Sequence, residues 1–273
     1  MRLSIARKEL GDGLRNRWIW LVSALLATAV LAIALLGTAP VGVAGARDSG
    51  VVIASLMNLA VYLVPLLALI LGCGALIDEK QRGTLDLILI YPVSTADYFI
   101  GTFLGFALAL SVAITCGFGL SGVVLSAWSD VDLQAYLVLT ALAIALGIVF
   151  LALSFLLSLL AKDRGRAVAI SVFVWMCAVL VFDLVLVGVL VVSEGRVSPA
   201  AFNAAVLFNP ADVFRLLCFV WLDSTLLPLG LSAVTADAPS SAVLSAALMS
   251  WGAVPLLICY ALFKKRIADD TLI

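Results

Sequence analysis

The sequence predicts an all-α polytopic membrane protein with six transmembrane helices, an N-terminal amphipathic interfacial helix and an outer-face helical segment between helices five and six. Three observations carry that prediction. Hydrophobic residues make up 64% of the 273 positions, charged residues only 12%, and the mean hydropathy is +1.23. A soluble domain has roughly 45–50% apolar and about 25% charged residues, so the surplus is too large for a buried core and calls for lipid-facing surface. Second, apolar runs of the roughly 20 residues that a bilayer crossing needs recur along the chain. Third, 13 of the 16 Lys and Arg fall in four clusters separated by those runs. The clusters are Arg2, Arg7, Lys8, Arg15 and Arg17; Lys80 and Arg82; Lys162, Arg164 and Arg166; and Lys264, Lys265 and Arg266. Arg47, Arg196 and Arg215 lie in the alternate set of loops. This is the alternation of the positive-inside rule, and it predicts both termini in the cytoplasm.

Residues 1–17 form the first element. Leu3, Ala6, Leu10 and Leu14 recur at three- and four-residue spacing and make one apolar stripe, with Arg7, Lys8 and Asp12 elsewhere on the helix. Trp18 and Trp20 follow, at the level where indoles prefer the headgroup zone. The pattern predicts a helix lying in the cytoplasmic interface that turns into span one. The run from Ile19 to Leu36 is longer than the ~7–15 apolar residues of a signal peptide, and Glu9 and Asp12 precede it, so it reads as an uncleaved span.

The six spans are predicted at 18–39, 52–77, 98–127, 134–161, 167–193 and 241–263. A seventh through 211–230 is set aside. It carries Asp212, Arg215, Asp223 and Pro228, and it would move the Lys264 cluster to the outside. Residues 78–97 are the main cytoplasmic loop. The loop opens with charges, breaks at Gly83, carries Leu85, Leu87, Ile88 and Leu89, and stops at Tyr91-Pro92, because the residue before Pro avoids the helical region. Ser94 to Asp97 suit the N-terminal cap of span three. Residues 194–240 are the one long segment outside the membrane. Asn209-Pro210 reads as an N-cap followed by Pro at the first helical position, and Val213, Leu217, Val220 and Trp221 continue as a stripe. A helix on the outer membrane face, used for docking or gating, is predicted there. The whole chain, 1–273, is one transmembrane domain.

Much chemistry is excluded. No phosphate-binding GxxxxGK[ST] loop exists, so the chain does not cradle ATP in that way. There is no His, and Cys73, Cys116, Cys177, Cys218 and Cys259 are far apart. Zinc and Ser/His/Asp chemistry therefore have no ligand set here, no metal site is predicted, and the cysteines read as apolar fillers. Asp183 is the one acid well inside a span. An intramembrane charge costs roughly 2.5–3.5 kcal/mol on insertion scales, so Asp183 should face the bundle interior. A polar partner near the outer face, protonation, and ion coupling are all open for it. Pro65 with Asn58 predicts a bent span two. Gly101, Gly105, Ser111, Gly119 and Gly122 offer close packing in span three.

This arrangement of elements resembles the ABC-2 class of ABC-transporter permeases. Residues 5–18, IARKELGDGLRNRW, look like the interfacial helix of that class, and residues 83–92, GTLDLILIYP, look like its coupling loop. Residues 181–196 and 208–216, FNPADVFRL, are similar to a narrower group, the Nos-type permeases of the system that matures the copper centres of nitrous-oxide reductase. The neighbourhoods Ser94-Thr95-Ala96 and Gly101-Thr102-Phe103 depart from the class, which often has basic residues there. The resemblance implies a non-enzymatic permease subunit in the bacterial inner membrane. It implies a homodimer served by a cytoplasmic ATPase subunit of the NosF kind, which would hold the ATP and magnesium. It also implies an outer β-helix protein of the NosD kind, with copper carried by other partners and no cofactor in this chain. In that reading Glu79, Gly83, Thr84, Leu85, Tyr91 and Pro92 receive the ATPase stroke. Arg7, Lys8, Glu9, Asp12, Arg15 and Arg17 belong to the interfacial helix. Glu194, Arg196, Asn209, Pro210, Asp212 and Arg215 dock the periplasmic partner. An ABC-2 exporter of a lipid, peptide or small molecule is the alternative; a secondary transporter or a passive scaffold is the third reading.

Overall fold

The computed structural model of the chain describes residues 2–15, 17–36, 49–77, 94–128, 132–194, 196–222 and 239–270. Their regular elements are all helical. In chain order they are α1 (Arg2–Arg15), α2 (Arg17–Leu36), α3 (Ser49–Gly72), α4 (Thr95–Trp128), α5 (Leu133–Leu160) and α6 (Arg164–Met176). A π-helical turn (Cys177–Val181) joins α6 to α7 (Phe182–Val192). Then come α8 (Pro199–Leu207), α9 (Pro210–Trp221) and α10 (Ser241–Asp270). Five rods are long and apolar enough to cross a membrane: α3, α4, α5, the continuous α6–α7 rod and α10. α2 has 20 residues, about 30 Å at 1.5 Å per residue, which matches the hydrocarbon thickness. Each predicted span thus appears as one helix.

Local chemistry sets the helix starts. Asp132 caps α5 by accepting from the N–H groups of Gln134 and Ala135, Asp163 caps α6 through Arg166, and Ser94 caps α4 through Asp97. Core burial centres on α5. In its most apolar stretch 67% of residues are buried, against 6% in the α6–α7 rod. α3 runs beside α5 in the same direction: a Cβ on Gly147 would meet Val64 at 3.2 Å, and one on Gly72 would meet Leu151 and Ser154 at 2.9 Å. Pro65 is held within α3, and Asn58 donates to the Ala54 carbonyl in the same helix. Next to the break that Pro65 makes in the helical ladder, the Tyr62 carbonyl accepts from the Trp175 indole of α6 at 2.9 Å.

The small residues of span three divide. Gly105 seats α1, with a built Cβ 3.1 Å from the Ala6 carbonyl; Gly117 seats Leu26 of α2 at 2.7 Å; Gly122 lies against the Tyr136 ring at 2.8 Å. Gly119 has nothing within 4 Å. The interfacial helix is therefore mounted on α4, with Ala6 buried and Arg7, Lys8 and Arg15 exposed.

The helical segment expected between spans five and six is present as α8 and α9. α8 and α9 meet at 116°. A turn beyond a right angle folds the second arm back, so the pair is a helical hairpin between spans five and six. Its second arm packs against α10, α5 and α3. Asp212 and Arg215, which argued against a span here in the sequence, meet each other and Asp183 inside the protein.

Candidate functional site

The hairpin tip finds side-chain partners for its backbone within the protein. Ser198 starts α8 by accepting from the Ala201 N–H, and Asn209 Oδ1 caps α9 by accepting from the Ala211 N–H at 3.1 Å, with Pro210 at the first turn. At the end of α8 the Leu207 carbonyl accepts from the Trp251 indole of α10 at 3.0 Å. The other half of the Asn209 amide, Nδ2, donates to the Ala178 carbonyl at 2.7 Å and to Asp212 Oδ2 at 2.8 Å. Ala178 lies in the π turn. One buried amide therefore ties the hairpin tip both to the fault in span five and to the first turn of its own second arm.

A charged clasp lies one turn along α9. Arg215 Nη1 is 2.7 Å from both carboxylate oxygens of Asp183 on α7 and 2.9 Å from Asp212 Oδ1 on its own helix. The side chains of Arg215, Asp183 and Asp212 are 18%, 28% and 8% exposed. Arg215 Nε is buried with no hydrogen-bond partner among the described residues. Here one guanidinium faces two carboxylates, and its planar fork suits it to bridging both. Of the readings the sequence left open for Asp183, this arrangement supplies the polar partner near the outer face.

The opposite end of the bundle is fixed separately. Ser158 Oγ of α5 is buried and accepts from the N–H groups of Leu76 and Ile77, both at 3.2 Å, just before the segment 78–93. Beyond the loop, Phe99 of α4 packs edge-on to Phe155 of α5 at 6.3 Å. Its ring also lies 5.5 Å from Tyr260 and 5.7 Å from Phe263 of α10. We expect Ser158→Ala to cost about 2 kcal/mol, because two buried N–H groups lose the hydroxyl that accepts from them. Thermal unfolding of the purified chain would show it, and unchanged unfolding would remove Ser158 as the anchor.

The predicted site residues are dispersed. Glu79, Gly83, Thr84, Leu85, Tyr91 and Pro92 lie outside the described residues. Of the interfacial helix, Arg7, Lys8 and Arg15 are exposed, and Glu9 is largely covered with Lys8 at 3.4 Å. The side chains of Asp12 and Arg17 are outside the described set. Glu194 and Arg196 form an exposed pair at 2.9 Å in the turn after α7, with Glu194 at φ 51°. Asn209, Pro210 and Asp212 are buried. The bundle covers these three, and Arg215 is largely covered and turned toward Asp183. The π turn, the Trp251–Leu207 bond and Ser158 were missed in the sequence, which offers no local signal for a long-range side-chain bond to backbone.

Comparison with known proteins places these features in a family. Residues 3–267 match the family described as ABC-2 family transporter protein. The chain is 38% identical over 270 residues to a protein of Stutzerimonas stutzeri named "Probable ABC transporter permease protein NosY", covering 97% of this chain and 98% of that relative. A protein of the same name from Pseudomonas aeruginosa is 37% identical over 270 residues, covering 96% and 98%.

Proposed function

The chain belongs to the ABC-2 family of transporter proteins and is an ABC-transporter permease, and from that premise we propose that it relays the stroke of a separate cytoplasmic ATPase to copper-site assembly of nitrous-oxide reductase outside the membrane. The observation that carries the relay is the position of α10. Its inner end joins the aromatic cluster beside the coupling loop, and its Trp251 holds the tip of the helical hairpin. A rod fixed at both places can pass a displacement from one face to the other.

In this reading the loop 78–97 meets a NosF-like ATPase, which carries the ATP and magnesium. The exposed Glu194–Arg196 turn and the rest of 194–240 meet a NosD-like periplasmic β-helix protein. Two copies of the chain assemble in the bacterial inner membrane with both termini cytoplasmic. A chain without His and with scattered Cys leaves copper to its partners. Mild-detergent purification of the tagged full chain, followed by identification of its companions, tests the proposal. An ATPase subunit together with a periplasmic protein is expected, and recovery without any ATPase would overturn it.

The exporter reading has one observation in its favour. A cavity of about 420 Å³ opens between α5, α9 and α10, lined by Leu142, Val149, Leu217, Trp221, Leu248 and Gly252. An apolar cargo would suit it. Recovery of the ATPase with no periplasmic protein would favour that function.

A further inference from the structure

We propose that the π-helical turn Cys177–Val181 is a register switch in span five and that Asn209 is its latch. In an α-helix the Phe182 N–H would return to the Ala178 carbonyl; here it donates to Cys177. Ala178 gives its carbonyl to Asn209 Nδ2 instead, at 2.7 Å. An unpaired backbone carbonyl at membrane depth costs several kcal/mol, so the bulged register persists while Asn209 occupies it. The dependence runs both ways, because Asn209 is 2% exposed and its amide needs that acceptor.

Resolving the bulge into a regular α-helix shifts everything beyond it by one residue, about 1.5 Å along the axis and about 100° around it. Asp183 stands in the first turn after the bulge, so that rotation carries it away from Arg215. The amide latch and the charged clasp therefore open together, and the hairpin is freed from span five. Light packing permits the rotation: no residue of α7 is buried. The result is an element with two discrete arrangements, which is what a coupling device requires. This switch goes beyond the relay proposed above and holds for any cargo or partner.

Hydrogen–deuterium exchange on the full chain in lipid nanodiscs tests it without any partner. Asn209→Leu is expected to speed exchange about tenfold at residues 178–183 and 209–215 together, with α3 and α5 unchanged. Deleting Leu180 removes the additional residue and leaves Asp183 facing as before. Residues 178–183 should then stay protected, even combined with Asn209→Leu, while α9 exchanges about tenfold faster because Asn209 has lost its acceptor. Faster exchange confined to the hairpin in Asn209→Leu would overturn the switch. If Asn209→Leu does not accumulate in the membrane, the Leu180 deletion decides alone: unchanged protection of α9 in that variant would overturn the latch.

Discussion

Arg215→Leu should destabilise the folded chain by about 3 kcal/mol, the scale for removing one partner from a largely buried ion pair and stranding its counter-charges. The apparent melting temperature in detergent should fall by roughly 5–10 °C. Two carboxylates depend on this one guanidinium, Asp183 at 2.7 Å and Asp212 at 2.9 Å, and neither side chain is more than about a quarter exposed. Most of the cost comes from the stranded acids and little from a favourable pair, since buried pairs roughly break even against apolar replacements. That origin gives the control its sign. The triple variant Asp183→Asn, Asp212→Asn, Arg215→Leu should recover most of the loss because it strands no charge. Arg215→Lys should fall between, since a single ammonium bridges two carboxylates less well than a planar fork. If Arg215→Leu melts like the unmodified chain, or the triple variant melts no higher than Arg215→Leu, the clasp does not hold the hairpin.

Hydropathy and charge made the spans legible because both act locally. A run such as Leu133–Leu160 needs no partner to declare itself, and clusters such as Lys264-Lys265-Arg266 sort the loops one by one. Caps were legible for the same reason: Ser94 and Asn209 bond to backbone within three residues. The fold of the hairpin onto the bundle was not. It depends on Asp183, Arg215 and Asp212 converging from segments about 30 residues apart, and each charge taken alone argues for water. Pattern reading therefore gave the helix without its contacts. The π turn was hidden more deeply, since Cys177 to Val181 differ in no way from an α-helical apolar run, and the reason for the fault lies on Asn209. What the sequence conveyed was element identity; what it withheld was which polar groups satisfy one another across the bundle.

That distinction bears on the cytoplasmic loop. Ser158 holds the chain at Leu76 and Ile77 just before it, and Ser94 caps α4 just after it. The entry to the loop is thus tied to α5 by side-chain hydrogen bonds, the exit opens on a capped helix, and Phe99 carries α4 into contact with α10. A clamped entry favours transmission over local yielding: under the proposed relay, a push from the ATPase would be passed on to α3.

Glu79→Lys should therefore abolish copper-site maturation while the permease still inserts. The segment Asp78-Glu79-Lys80-Gln81-Arg82 sets two acids ahead of two bases. Reversing one acid adds a third cation and removes a partner for whatever basic group the ATPase presents. Like-charge contact across an interface costs several kcal/mol, and about 3 kcal/mol is more than a hundredfold in ATPase affinity. Glu79→Gln separates repulsion from lost attraction and should weaken the complex by roughly tenfold. Three measurements decide: the amount of permease in the membrane, the ATPase recovered with it, and the copper content of the reductase made in the same cells. Normal insertion with lost ATPase and an empty reductase is expected. A reductase filled with copper in the Glu79→Lys strain would place the coupling contact elsewhere, and failure of the permease to insert would assign Glu79 to folding.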